Sequence, residues 1–190
     1  MSELVAYRGG YAIAGGLAAS FYRTKPRVTN DVDIAFAIGT YEESKQAAIH
    51  VIESIGYDAA LGWIYAGEKK KLKRAPMIIG RHDQNNLEGT IDFLLPSFPW
   101  VETAVLRAQD HLIDFGFAKI PTVTLEDLII AKAFALDVEP NRFQDLDDIK
   151  SILLSDNEVD FSYVVSQCER LDLAFPSALE SFLPAALRKL

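Results

Sequence analysis

Asp31 and Asp33 stand one residue apart at the start of the apolar run "DVDIAFA". Read as a strand, the run places Asp31, Asp33 and Ala35 on one face and Val32, Ile34 and Phe36 on the other. The second face suits a core. The first holds two carboxylates with Cα atoms roughly 6–7 Å apart. Without a cation they repel, and one of them binds a proton more readily. A hard divalent ion removes the conflict, because it accepts carboxylate and phosphate oxygens together. Asp92 occupies a similar place in "TIDFLL", where Asp92 and Leu94 share one face and Ile91, Phe93 and Leu95 the other. If these two strands are neighbours, three acids converge. Such a set can hold two divalent ions about 3.5–4 Å apart for in-line phosphoryl displacement. A turn or a cap is the plainer reading of a D-x-D pair taken alone.

Other residues bear on the same chemistry. Gly15 and Gly16 lie in or at the start of a helical segment, where bare backbone N–H groups suit phosphate oxygens. Glycine pairs also serve close packing. Lys132 sits in the apolar run "LIIAKAFAL", so its ammonium must reach a partner or water. It either contacts a triphosphate or snorkels from a packed helix. Arg142, Asp145 and Asp148 recur every third residue and share a helix face, which by itself reads as a solvated face with internal ion pairs. Arg27 and Thr29 precede the acids and read as braces for their loop. His50, His82 and His111 are scattered and suggest no metal set.

The elements that must position these residues are legible in outline. One helix is expected over Tyr11 to Tyr22 and a strand over Val32 to Ile38. "YEESKQAAIHVIESIG" has helical apolar spacing and a glycine stop at Gly56. "YDAALGWIYA" reads as a strand kinked at Gly62; "APMIIGR" and "TIDFLLP" read as strands flanking the turn-rich "HDQNNLEG". A helix in "PWVETAVLRAQ" and one or two strands in "HLIDFGFAKIP" follow. From Thr124 the chain is expected to be helical, opening on a Thr124/Asp127 pattern close to a capping box. Pro140 suits a first helical turn. Ser177 and Glu180 suggest a cap for a last helix that Pro184 interrupts. The elements do not alternate regularly. The fold class is therefore α/β in the α+β sense, a small mixed sheet flanked by helices. The expected division is an α/β core over 1–122 and a C-terminal helical region over 123–190.

Composition bounds the function. The chain has 190 residues and a net charge of −8. Acidity argues against a general nucleic-acid binder, since that binding rests on Lys and Arg. The basic cluster Lys69, Lys70, Lys71, Lys73 and Arg74 is the exception. It reads as a solvated hairpin tip, or as a contact to acceptor RNA or an acidic partner. A single cysteine, Cys168, excludes an intrachain disulfide and a cysteine zinc site. No run approaches the roughly 20 apolar residues of a membrane span. The start "MSELVAYRGG" lacks a signal layout, so a cytoplasmic protein without membrane partners is expected.

The string "GGLAASFYRTKPRVTNDVDIAFA" resembles the opening of nucleotidyltransferases of the polymerase-β type. It is most similar to the "GG-L-A … R-x-T-x-D-h-D-h" pattern of AbiEii-like members of toxin–antitoxin and abortive-infection systems. Gly15, Gly16, Arg27, Thr29, Asp31 and Asp33 fall on that pattern. Lys132, Arg142, Asp145 and Asp148 fall on its later K … R-x-x-D-x-x-D-h segment, so the resemblance covers about Ala12 to Leu154. One departure is Gly16, where many members carry Ser.

The resemblance implies transfer of a nucleoside monophosphate from an NTP to an acceptor hydroxyl, with Mg²⁺ or Mn²⁺. Asp31, Asp33 and Asp92 would bind metal, and Asp92 would also be the base. Gly15, Gly16, Lys132 and Arg142 would bind the triphosphate, with Asp145 or Asp148 orienting Lys132 or Arg142. The acceptor is an RNA such as tRNA, a protein or a small molecule, and a cognate toxin or antitoxin is an implied partner. The rival class is a non-catalytic module that keeps the fold and binds a partner protein or nucleotide. A third reading is a substrate-recognition or antitoxin-like subunit whose helical tail forms a dimer.

Overall fold

The computed structural model of the chain describes residues 2–64, 75–82 and 89–188. The basic cluster at 69–74 and most of "HDQNNLEG" lie outside them. The chain opens with α1 (Ser2–Val5), β1 (Tyr11–Ile13) and α2 (Gly15–Tyr22). Next come β2 (Val32–Phe36), α3 (Tyr41–Ser54), β3 (Asp58–Ile64), β4 (Ala75–Arg81) and β5 (Ile91–Leu94). After α4 (Val101–Ala108) and the hairpin of β6 (Leu112–Asp114) and β7 (Lys119–Pro121), three helices follow: α5 (Leu125–Val138), α6 (Phe143–Leu153) and α7 (Phe161–Arg170). Two 3-10 turns, Ser177–Phe182 and Ala185–Leu187, close the described chain.

Strands β1 to β5 form one sheet in the order β1-β2-β5-β4-β3. β2 and β5 run parallel, and their other sheet neighbours are antiparallel. This is the expected small mixed sheet flanked by helices, followed by a helical C-terminal region.

Alternation gives the sheet two different faces. Ile34, Phe36, Phe93 and Ile78 are buried on one, with the Phe36 and Phe93 rings edge to face at 5.2 Å. Helix α3 closes this side. Thr40 and Glu43 cap each other at its start, Ala47, Ala48, Val51 and Ile52 turn inward, and Gly56 (φ +79°) follows its end as expected. The other face carries Asp33 and Asp92, and α2 and α5 flank it. Helix α5 is apolar on nearly every side and runs through the interior, with Leu128, Ile129, Ile130, Ala133 and Phe134 all buried. One core joins the sheet to α5, α6 and α7. Among the described residues, no helix is long and apolar enough to cross a membrane.

Four local expectations are corrected. The stretch from Tyr11 to Tyr22 is a strand and then a helix, because Gly15 (φ +56°) separates them. β3 runs through Gly62 without a break, with Gly62 opposite Met77. A Cβ at Gly62 would stand 2.4 Å from Ile79 Cδ1, so close packing accounts for this glycine. Ser177 caps nothing: Pro176 precedes a 3-10 turn that has no side-chain cap. Asp145 and Asp148 are buried, so their face of α6 is not solvated.

Candidate active site

The parallel pairing of β2 with β5 sets Asp33 directly opposite Asp92. Paired residues on neighbouring strands point to the same face, so the two carboxylates are cross-strand neighbours. Asp31 lies just before β2, exposed at the mouth, and Thr90 Oγ1 donates to its Oδ1 at 3.1 Å. The electrostatics are those of crowded acids. Burial, with Asp31 and Asp145 adding to it, pushes the Asp33 carboxyl above its ordinary range, against the pull of Lys132 and the Gly16 N–H. Burial and the Asp33 charge push Asp92 up to about 7. Asp92 Oδ1 is buried and, among the described residues, has no hydrogen-bond partner. A buried carboxylate oxygen in that condition is unfavourable unless a proton or a cation joins it.

The glycines are built against this pair. Gly15 has a left-handed φ of +56°, and a Cβ there would stand 1.7 Å from Asp33 Oδ2. Only glycine allows the start of α2 to come so near the carboxylate. The Gly16 N–H donates to Asp33 Oδ2 at 3.4 Å. A Cβ at Gly16 would come within 2.7 Å of Arg27 Nη2 and 2.9 Å of Thr29 Oγ1. Arg27 thus fills the space that any side chain at Gly16 would need.

Behind the acids lies a buried ionic network centred on Asp148, which is fully buried. Arg27 grips it with both ends of its carboxylate, Nε to Oδ1 and Nη2 to Oδ2, each at 3.0 Å. Arg23 Nη1 also donates to Asp148, while Arg23 Nη2 pairs with Asp147 at 2.8 Å. Lys132 Nζ lies 2.7 Å from both Asp145 Oδ1 and Asp148 Oδ2. Arg142 Nε donates to Asp145 as well. Lys132 is only 4% exposed, so it does not snorkel. Arg27 is a brace, as its position suggested, and Thr29 Oγ1 donates to the Asp31 carbonyl at 3.4 Å. The network ties the loop before Asp31 to α5 and α6.

A cleft of about 780 Å³ opens over these groups. Gly15, Gly16, Asp31, Asp33, Asp92, Lys132 and Arg142 all line it. Its apolar wall includes Met77, Ile79, Phe98, Trp100 and Phe134. Sequence reasoning did not single out this wall, nor Thr90, Arg23 or Arg81. For Arg23 no spacing signal existed, because it and Arg27 both lie beyond the end of α2. For the wall, none was available before the sheet order was known. Among the described residues, no group of three His, Cys, Asp or Glu side chains stands close enough together to hold a metal ion.

No protein-family model matches the chain, and no curated protein matches it. The resemblance to AbiEii-like proteins therefore rests on the residues quoted for it. Among solved structures, the chain is similar to an antigenic nucleotidyltransferase-like protein from Paracoccidioides brasiliensis. The two share 14% identity over 98% of this chain and 91% of that one, with a TM-score of 0.48.

Proposed function

We propose that this chain is a metal-dependent nucleotidyltransferase that moves a nucleoside monophosphate from an NTP to an acceptor hydroxyl. The observation that carries the reading is the register of Asp33 against Asp92, with Gly15 closed onto the Asp33 carboxylate. The donor set fits Mg²⁺ or Mn²⁺. It consists of hard carboxylate oxygens, one of which, Asp92 Oδ1, is buried without a partner among the described residues. Asp33 and Asp92 face each other, and a metal would have to draw Asp31 in from the mouth to complete the set; when bound it would supply Lewis acidity at the α-phosphoryl group and offset charge on the departing pyrophosphate.

The chain's own groups do the rest. The Gly15 N–H at the start of α2, and the Gly16 N–H on leaving its long 3.4 Å contact with Asp33 Oδ2, would take phosphate oxygens. Arg142, at the cleft wall, adds positive charge for the triphosphate. Lys132, held by Asp145 and Asp148, sets the potential at Asp33. The acceptor oxygen forms its bond to the α-phosphorus, the bridge to the β-phosphate breaks, and pyrophosphate leaves. The hydroxyl proton would pass to Asp92, which lies beside Asp33 at the reacting centre.

The AbiEii-like residue pattern makes a cytoplasmic toxin–antitoxin component the specific form of this reading, with tRNA as the first acceptor to test. Each labelled NTP, Mg²⁺ and bulk tRNA are incubated with wild type and with Asp33→Asn. Label on tRNA from wild type alone supports the reading. A second reading, a non-catalytic binding or antitoxin-like module, draws on the lack of a ready three-ligand metal cluster among the described residues. Well-folded wild type that releases no pyrophosphate with tRNA, protein or small hydroxyl compounds would favour it.

A further inference from the structure

Beside the acids stands a cation that the proposed reaction has not used. β4 pairs with β5 so that Ile79 faces Asp92. Alternation then puts Arg81 on the same face as Asp92, one step nearer the mouth. The Arg81 charge reaches Asp92, where it opposes the rise in proton affinity. Arg81 Nε is buried and, among the described residues, has no hydrogen-bond partner. The register sets Arg81 opposite Asp58 on β3. Arg81 stands next to the cleft wall formed by Met77 and Ile79 of its own strand, and the two arginines that line the cleft differ from it: Arg27 is fastened to Asp148 and Arg142 to Asp145. A guanidinium with a buried, unpaired N–H calls for an acceptor, and its planar fork suits phosphate.

Its side of the sheet says which phosphate. Gly15 and α2 lie against Asp33, on the β2 flank of the acid pair. Arg81 is on β4, across β5, on the opposite flank. In-line displacement keeps the leaving group and the attacking oxygen on opposite sides of the α-phosphorus. With the β- and γ-phosphates at the glycines, the attacking molecule enters from the β4 flank. We propose that Arg81 binds a phosphate group of the acceptor, next to the hydroxyl that attacks. This inference rests on the nucleotidyltransferase reading above for the direction of entry. Either an RNA end or a small phosphorylated metabolite would supply such a phosphate.

The test uses the full chain, Mg²⁺ and a non-hydrolysable NTP analogue. First, calorimetry measures analogue binding to wild type, Arg81→Ala and Arg81→Lys. Second, inorganic phosphate is titrated into each protein, with and without saturating analogue, and followed by ³¹P NMR. The expected result is unchanged analogue affinity in all three and phosphate affinity lowered about 10- to 100-fold in Arg81→Ala. Arg81→Lys should recover part of it, and circular dichroism checks that both variants fold. Phosphate binding equal in wild type and Arg81→Ala, or absent from both, would overturn the inference. Analogue binding lost in Arg81→Ala would also overturn it, by placing Arg81 with the triphosphate. Failure of wild type to bind any analogue would sink the nucleotidyltransferase reading instead, and the analogue-free phosphate titration still reads Arg81. Displacement of bound phosphate by bulk tRNA points to an RNA end, and displacement only by small sugar phosphates points to a metabolite; either supports the inference.

Discussion

Replacing Asp92 by Asn should make the metal-free protein more stable at neutral and alkaline pH while abolishing nucleotide-dependent chemistry. Folding raises the proton affinity of Asp92 from an ordinary value of 3.8 to about 7, through burial and the neighbouring Asp33 charge. Between those values the native state holds more protons than the open chain. Stability therefore falls as pH rises through that window, and the loss is complete above about 7. At about 1.4 kcal/mol per tenfold change in proton affinity, the ceiling is roughly 4 kcal/mol. Asp92 is only half-buried beside an open cleft, and solvent screening brings the expected gain to about 1–2 kcal/mol. Urea denaturation of wild type and Asp92→Asn in EDTA, from pH 4 to pH 8.5, reads this directly. The variant should gain over wild type as pH rises, with little difference at the acid end. Added Mg²⁺ should stabilise wild type and leave the variant unmoved, because only a ligand that binds the native state shifts the equilibrium. A difference independent of pH, or a variant less stable throughout, would refute the electrostatic argument.

Other outcomes follow from the same geometry. Asp148→Ala leaves Arg27, Arg23 and Lys132 without their shared buried partner; a loss of about 3–5 kcal/mol in denaturant unfolding is expected. Asp148 is held below the ordinary carboxylate range by Arg27 and Lys132, against the effect of burial. Its stabilisation is thus present above the unfolded value and lost as pH falls through the folded one, so the wild-type advantage should shrink in acid. Gly16→Ser meets Arg27 and Thr29, and should lower the melting temperature although serine is common at this position in the family it resembles. Thr124→Ala removes the oxygen that accepts the Asp127 N–H at 3.3 Å, and should lower unfolding free energy by about 1 kcal/mol.

Much of the site was legible because its parts are local. The alternation in "DVDIAFA" put Asp33 on the face opposite Ile34, and the structure keeps it there. Asp31 falls just outside the strand, which a period of two does not reveal. The pairing of Asp33 with Asp92 depends on β2 and β5 being parallel neighbours, a fact of sheet order that no spacing contains. Lys132 shows the limit of a local reading. Its apolar surroundings signalled burial, but its partners lie on another helix and only the family pattern hinted at them. "YAIAGGLAAS" reads as one helix because a three-residue apolar strand is too short to show its period. Arg81 alternates with Met77 and Ile79 on one face of β4, a pattern present in "APMIIGR" but without meaning until Asp92 was placed across from Ile79.

The central claim is that Asp33 and Asp92 together hold a divalent cation and a nucleoside triphosphate. Calorimetric titration of each NTP with Mg²⁺ into wild type, Asp33→Asn and Asp92→Asn tests it most directly. Binding of at least one NTP to wild type that requires Mg²⁺ and disappears in both variants is the predicted result. NTP binding that persists without Mg²⁺ and survives in both variants would contradict it.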